Sequence, residues 1–178
     1  YDTVMQALAL LHQRKLFFGL SITVSKTNLA AITSAPFIQS LVEHGCRIFM
    51  FIEYVPVDGI SQELAIDEAE RAELAHFEAW ARHTWRDRIF ISFPGDEQKM
   101  GGCLAAGRGF FHLNTDGSAE SCPFSPYGDV NAAETSLAHV LDSPLFARLR
   151  SSGLVGKTHT GGCALFEHED EVKRIAAM

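Results

Sequence analysis

Strand and helix patterns alternate three times within residues 1–94, and this order restricts the fold more than any other feature of the sequence. Residues 16–25 carry apolar side chains at even positions and Gly, Ser or Thr at odd positions from Gly19 onward, the period of a half-buried strand. Residues 47–57 and 88–94 are almost continuous apolar runs, which indicates parallel strands covered on both faces. The alternation predicts an α/β fold with right-handed crossovers.

Helices are expected before and between these strands. Residues 2–14 have an amphipathic pattern, Ser34 can cap a helix that Gly45 ends, and Asp67 with Glu70 forms a capping pair for a third helix. Three parallel strands are too few to close a barrel and would leave bare sheet edges. We therefore expect a fragment of a longer protein, or a homo-oligomer.

Composition narrows the class of protein. The net charge of −7 and the scattered Lys and Arg residues argue against nucleic-acid binding, which needs clustered positive charge. No apolar run reaches the roughly 20 residues of a membrane span, and the chain start does not resemble a signal peptide. We expect a soluble, cytoplasmic protein without membrane partners, whose four cysteines are reduced.

The composition of the sequence changes after Pro94, where a glycine-rich loop begins. Residues 110–113 and 118–122 flank the turn sequence Asn-Thr-Asp-Gly at 114–117, whose Asp-Gly end suits positive φ, so a β-hairpin is predicted. One helix or two short ones should follow, and residues 167–177 should form a terminal helix. This second half is a small hairpin-plus-helix extension.

Three of the four cysteines, Cys103, Cys122 and Cys163, lie in this second half. A turn centred between residues 115 and 116 puts Cys122 opposite Gly109, and the small residues before Gly109 can fold back to bring Cys103 near Cys122. Cys163 follows the pair Gly161 and Gly162. Glycines beside cysteines allow backbone N–H groups to reach sulfides and thiolates. We predict that the three thiols bind an iron-sulfur cluster.

Several other residues of the sequence could bind a metal or act as acids. Zinc is the alternative metal and would require a fourth ligand such as His159 or His168. Cys46, between a helix end and a buried strand, is predicted to be a core residue. The Asp96 and Glu97 pair could act in acid-base chemistry, but beside a lysine a solvated turn is the simpler interpretation. No role is assigned to the histidines in predicted helices, His44, His76, His83 and His139.

A second group of polar residues follows the first two strands. Ser21, Thr23 and Ser25 alternate along the first strand, Asn28 follows it, and Glu53 ends the second. Ligands of parallel sheets and barrels bind beyond the C-terminal ends of the strands, so Ser25 and Asn28 would lie on that rim, together with Glu53 if the strands are parallel. The alternative is structural: the hydroxyl groups fill a barrel interior and Glu53 pairs with a nearby arginine.

The string GGCLAAGRGFFHLNTDGSAESCPFSP, residues 101–126, resembles the auxiliary-cluster region of radical SAM enzymes, the SPASM or Twitch type of extension. There a first Cys precedes a hairpin, a second closes it, and a helix similar to SLAHVLDSPLFARLR follows. The strand FIEYVP at 51–56 resembles the late strands of the radical SAM partial barrel. The resemblance implies two domains. Residues 1–94 would be late βα units of a partial (β/α) barrel, its C-terminal portion, completed by a missing N-terminal part of the same protein, and residues 95–178 would be a SPASM/Twitch-like extension.

The resemblance also implies an activity for the parent protein. Such an enzyme cleaves S-adenosyl-L-methionine at an N-terminal cluster and abstracts hydrogen from a peptide or small-molecule substrate through a 5'-deoxyadenosyl radical, in peptide modification or cofactor biosynthesis. By resemblance, Cys103, Cys122 and Cys163 would hold one auxiliary 4Fe-4S cluster with an iron open to substrate, water or another ligand. The residues near S-adenosyl-L-methionine would be Ser21, Thr23, Asn28 and Glu53.

This chain departs from the radical SAM pattern in one respect that concerns catalysis. The C-x-x-x-C-x-x-C loop of the S-adenosyl-L-methionine-cleaving cluster is absent from the sequence. The chain alone is therefore expected to perform no radical chemistry. A different class of function, a non-catalytic zinc-stabilised or structural binding module, remains the alternative.

Overall fold

The computed structural model of the chain describes residues 1–57, 59–156 and 163–178. The chain forms two compact units, Tyr1–Asp96 and Glu97–Met178. No helix among the described residues is both long enough and apolar enough to cross a membrane.

The first unit alternates helices with three parallel strands. Its elements are, in chain order, α1 (Asp2–Gln13), β1 (Gly19–Val24), α2 (Leu29–Ile32), α3 (Ala35–Glu43), β2 (Ile48–Glu53), α4 (Glu68–Thr84) and β3 (Ile89–Phe93), with a 3-10 helix at Gln62–Leu64. The strand order is β1-β2-β3, with Gly19 opposite Ile48 and Ile48 opposite Ile89. The mixed α/β fold and the parallel pairing predicted from the alternation are confirmed.

The two faces of this sheet differ in burial. One face packs into the core with α1, α3 and α4, and its side chains are Leu20, Ile22, Val24, Phe49, Phe51 and Phe90. This confirms the predicted apolar face of β1. The other face keeps partial or full solvent exposure, and it carries Gly19, Ser21, Thr23, Ile48, Met50, Ile52, Ile89, Ile91 and Phe93. The expectation that β2 and β3 are covered on both faces is therefore wrong for the described residues, because the helices that pack here share one side.

Local capping chemistry sets the helix boundaries of the first unit. At α4, the Asp67 side chain accepts the Glu70 N–H at 3.0 Å and the Glu70 carboxylate accepts the Asp67 N–H at 2.7 Å, which confirms the predicted capping pair. Ser34 precedes α3, but its hydroxyl donates to the Ala31 carbonyl at 2.7 Å instead of capping the helix. Gly45 adopts φ +90° just beyond α3, where a side chain would be strained.

The second unit is built from a small antiparallel sheet and short helices. Its elements are β4 (His112–Leu113), β5 (Ser118–Glu120), β6 (Val130–Asn131), α5 (Leu137–Leu141), α6 (Pro144–Ser151), α7 (Ala164–Glu167) and α8 (Glu169–Ala176), with 3-10 helices at Glu97–Met100 and Leu154–Gly156. The strands pair in the order β4-β5-β6. The predicted hairpin and the two short helices after it are present.

The register of the hairpin differs from the predicted one by one residue. Asn114 N–H donates to the Ser118 carbonyl at 3.0 Å, and Gly117 at φ +85° closes the loop by donating to the Asn114 carbonyl at 3.0 Å. His112 therefore pairs with Glu120, and Cys122 does not face Gly109. Cys122 instead forms a β-bridge with Ser125, in a local turn that follows β5.

The buried N-cap of α6 gives a stability prediction. The Ser143 hydroxyl accepts the Phe146 N–H at 3.0 Å and donates to the Asp129 carboxylate at 2.7 Å, and the residue is 1% exposed. Ser143→Ala should lower the free energy of unfolding by about 2 kcal/mol, because both partners lose a hydrogen bond inside the protein. The exposed cap Ser136, which accepts the His139 N–H at 3.2 Å, is the matched control, and Ser136→Ala should cost about 0.5 kcal/mol in the same urea titration. Equal losses would contradict the assignment.

Candidate metal centre

Three cysteines from distant parts of the second unit come together. Cys103 lies beyond the 3-10 helix Glu97–Met100, Cys122 follows β5, and Cys163 immediately precedes α7. All three are free thiols and are buried, at 4%, 3% and 6% exposure. Cys122 and Cys163 share a side-chain hydrogen bond, and Cys103 lies close enough to both for their charges to interact. The predicted cysteine set is thus assembled in one place.

Backbone hydrogen bonds hold the Cys103 loop in position. Ala106 N–H donates to the Ser121 carbonyl at 2.9 Å, which ties the loop to the chain just before Cys122. Cys103 N–H donates to the Val155 carbonyl at 2.7 Å. The fold-back of the small residues after Cys103, expected from the sequence, therefore occurs, and it depends on these two contacts with other segments.

A glycine and an arginine shape the same loop. Gly102 adopts φ +105°, and a Cβ there would come within 2.2 Å of the Val155 carbonyl oxygen, so a side chain at this position would push the loop away. The Arg108 guanidinium donates to the carbonyls of Cys103 at 2.5 Å and Gly101 at 3.1 Å. A side chain within the loop therefore satisfies these two loop carbonyls.

Each of the three sulfur atoms accepts a backbone N–H from the residue two positions further along. The donors are Ala105 to Cys103, Phe124 to Cys122 and Leu165 to Cys163, and Phe166 N–H is a second donor to Cys163. Hydrogen bonds to sulfur favour the thiolate over the thiol. The same local geometry at three unconnected cysteines is suited to thiolate ligands of a metal, whose electronic properties such N–H groups tune.

The protonation of the three thiols is uneven. Burial raises the pKa of Cys103 to about 12, and the Glu97 carboxylate adds to this rise. The hydrogen bond between Cys122 and Cys163 raises the pKa of Cys122 far above its usual range and lowers the pKa of Cys163. A metal bound by these residues would therefore have to displace protons from Cys103 and Cys122.

Glu97 belongs to this cluster, although it was expected in a solvated turn. Its side chain is buried at 6% exposure and hydrogen-bonds with Cys103, and its charge acts on Cys163 as well. Asp96 is also buried, but it belongs to the first unit, where it binds Arg82 at 2.5 Å and the Ser92 N–H at 2.9 Å. An acid six residues before Cys103 in a glycine-rich loop was the only sequence signal for Glu97, and such a signal does not separate a buried carboxylate from a solvated one.

The residue types around the three thiols fit a metal group that is bound by thiolates. Thiolates and carboxylates are ligand types found around protein-bound iron, and the four N–H groups that donate to the sulfur atoms would compensate the negative charge of such thiolates. In residues 1–57, 59–156 and 163–178, no three or more His, Cys, Asp or Glu side chains already have the arrangement of a metal-ion site. The thiols are arranged as a hydrogen-bonded pair with Cys103 beside it. Three residues singled out from the sequence, His159, Gly161 and Gly162, lie outside the described part of the chain.

The residues expected near S-adenosyl-L-methionine separate into two groups. Ser21 and Thr23 are exposed on the open face of the sheet. Asn28 donates to the Thr23 carbonyl at 2.7 Å and accepts the Ser25 N–H at 2.9 Å, so its amide shapes the turn after β1. Glu53 pairs with Val24 in the sheet and lies on the helix-covered face. It therefore does not share a surface with Ser21 and Thr23.

The alternative role of Glu53, pairing with a nearby arginine, is the one that the structure supports. The Arg71 side chain donates to its carboxylate at 2.8 Å, and Glu53 is 5% exposed. Cys46, predicted to be a core residue, is fully buried in the core of the first unit, and burial raises the pKa of its thiol to about 11. Both residues are part of the packing of the first unit.

Comparisons with known proteins do not identify a family for this chain. No protein-family model matches it, and no curated protein is similar enough to count as a match. The chemistry of the thiol cluster is therefore the basis on which a function is assigned.

Proposed function

We propose that this chain is the C-terminal part of a radical SAM enzyme and that Cys103, Cys122 and Cys163 bind an auxiliary 4Fe-4S cluster. The observation that carries this proposal is the convergence of three buried thiols, each accepting an N–H from the residue two positions further on. Backbone donors arranged in this way compensate the negative charge of thiolate ligands. A core made only for packing would not need aligned donors at all three sulfur atoms.

The residues around the thiols would prepare them for ligation. The hydrogen bond from Cys122 and two backbone N–H donors lower the pKa of the Cys163 thiol, and burial protects the sulfur atoms from water and from oxidation. Arg108 and Gly102 keep the Cys103 loop within reach of Cys122 by the contacts described above. When bound, the cluster would hold the substrate or relay an electron.

We further propose that the first unit is a portion of a partial (β/α) barrel. Its sheet is covered by helices on one side, and the other side presents apolar residues together with the hydroxyl groups of Ser21 and Thr23. Such a face is suited to the interior of a barrel, where substrates bind near the strand ends. We propose Ser21 and Thr23 as residues on the substrate or S-adenosyl-L-methionine side, and we leave out Glu53 because Arg71 already neutralises it.

The proposal divides the chemistry between this chain and the rest of the protein. The sequence contains no C-x-x-x-C-x-x-C loop, so cleavage of S-adenosyl-L-methionine is assigned to a part of the protein outside this chain. This chain would bind the auxiliary cluster and contribute surface to a peptide or small-molecule substrate. Hydrogen abstraction would then require both parts.

Anaerobic reconstitution of the chain with iron and sulfide tests the cluster. We expect about four iron and four sulfide per chain, with the broad visible absorbance of an iron-sulfur protein. Iron and sulfide counting, absorbance and Mössbauer spectra are the measurements. A colourless protein that binds about one zinc per chain and unfolds when a chelator removes it would overturn the proposal in favour of a zinc-stabilised module.

A further inference from the structure

We infer that Glu97 is the fourth protein ligand of the cluster and binds through its carboxylate the iron that the three cysteines leave open. This inference depends on the cluster proposed above and goes further, because three thiolates alone leave one iron for substrate, water or an unidentified ligand. It would give the cluster a complete set of protein ligands, three sulfur atoms and one oxygen.

The backbone of the loop delivers Glu97 to the cysteines. Glu97 begins the 3-10 helix Glu97–Met100, and its carbonyl accepts the Gly102 N–H at 2.8 Å. This bond closes the loop so that residue 97 lies beside residue 102, next to Cys103 in the chain. Arg108, which donates to the Cys103 and Gly101 carbonyls, holds the same loop from the other end. The position of Glu97 is therefore a consequence of the loop that positions Cys103.

The buried side chain of Glu97 lies beside Cys103. It is 6% exposed, hydrogen-bonds with Cys103 and interacts electrostatically with Cys163. A buried carboxylate among thiols that must become thiolates repels them, because all four groups are then negative. A bound cationic group removes that conflict by accepting all four as ligands. Carboxylates are established iron ligands in proteins, so the residue type suits the role.

A hydrogen-bonding role for Glu97 differs from ligation in a measurable way. If Glu97 only accepts a hydrogen bond from Cys103, wild type and Glu97→Gln hold the fourth iron equally well and retain the same iron content. If Glu97 is a ligand, Glu97→Gln leaves one iron without a strong protein ligand. Ferricyanide should then take one electron and release that iron as Fe(II), which converts the 4Fe-4S cluster into a 3Fe-4S cluster.

The experiment compares reconstituted wild type, Glu97→Gln and Glu120→Gln under the same anaerobic ferricyanide treatment. Glu120 is a matched control, since it is also 6% exposed and in the same unit, and its carboxylate accepts from Asn114 at 2.8 Å. We expect wild type and Glu120→Gln to retain about four iron per chain and Glu97→Gln to retain about three. Electron paramagnetic resonance should detect the 3Fe-4S form in Glu97→Gln alone.

A Glu97→Cys variant provides a second test in case Glu97→Gln binds no iron at all. A cysteine at position 97 should restore about four iron, because it replaces one anionic ligand by another. Equal retention of iron in wild type, Glu97→Gln and Glu120→Gln would overturn the Glu97 assignment and leave the three-cysteine cluster standing. The same conclusion would follow if Glu97→Gln lost its iron and Glu97→Cys failed to restore it. A wild-type chain that takes up no iron would overturn the cluster itself, and the inference with it.

Discussion

Replacing Cys103, Cys122 or Cys163 by alanine is expected to reduce bound iron after anaerobic reconstitution from about four per chain to below about one. Each replacement removes a thiolate ligand together with the sulfur that accepts the N–H of Ala105, Phe124 or Leu165. The cluster would then be held by two thiolates and would be lost during desalting. Iron and sulfide counts, with visible absorbance, measure the effect.

The fourth cysteine supplies the control for this series. Cys46 is as deeply buried as the others, but it lies in the core of the first unit, so Cys46→Ala should leave the iron content unchanged. Its small loss of packing should cost about 1 kcal/mol of unfolding free energy. Circular dichroism of every variant separates loss of iron from loss of fold. Four variants with equal iron content would show that the three buried thiols are not ligands.

Arg71→Ala should lower the free energy of unfolding by about 3 kcal/mol, the largest stability effect we expect from a single charged residue. Arg71 donates to the Glu53 carboxylate at 2.8 Å, and Glu53 is 5% exposed at the end of β2. Without the arginine, the carboxylate stays in the interior with its main partner removed. Urea unfolding followed by circular dichroism measures the change.

Two further variants test whether the stability loss in Arg71→Ala comes from the buried Glu53 carboxylate or would follow the loss of any ion pair. Arg47→Ala removes a pair with Asp87 at 3.3 Å in which both side chains are largely exposed, at 47% and 70%, and should cost less than about 1 kcal/mol. Glu53→Gln keeps the shape of the side chain and an oxygen for Arg71, and should cost about 1 kcal/mol. A loss in Arg71→Ala no larger than in Arg47→Ala would contradict the structural role of Glu53.

Features that depend on a few neighbouring residues could be predicted from the sequence. The alternation in β1 identified its core face, because successive side chains of a strand point to opposite sides whatever the rest of the chain does. The Asp67 and Glu70 capping box and the Asp-Gly hairpin turn were predicted for the same reason, since their partners lie within three residues. The grouping of Cys103 with Cys122 followed from the hairpin, even though the predicted register was one residue away from the observed one.

Features that depend on packing between distant segments required the tertiary structure. The side of the sheet on which Glu53 lies, and its partner Arg71, depend on where α4 packs. Glu97 is buried because the Gly102 N–H and the Cys103 loop fold over it, and no local pattern separates such a residue from a solvated acid.

The sequence by itself therefore determined the mixed α/β order, the core face of β1 and the three cysteines as candidate ligands. Only the tertiary structure decided that Cys122 hydrogen-bonds Cys163, that each sulfur accepts an N–H two residues on, and that Glu97 joins them. The physical reason is the range of the interactions. Periodicity and capping act within one element, whereas burial of a charge and the meeting of thiols depend on segments far apart in the chain.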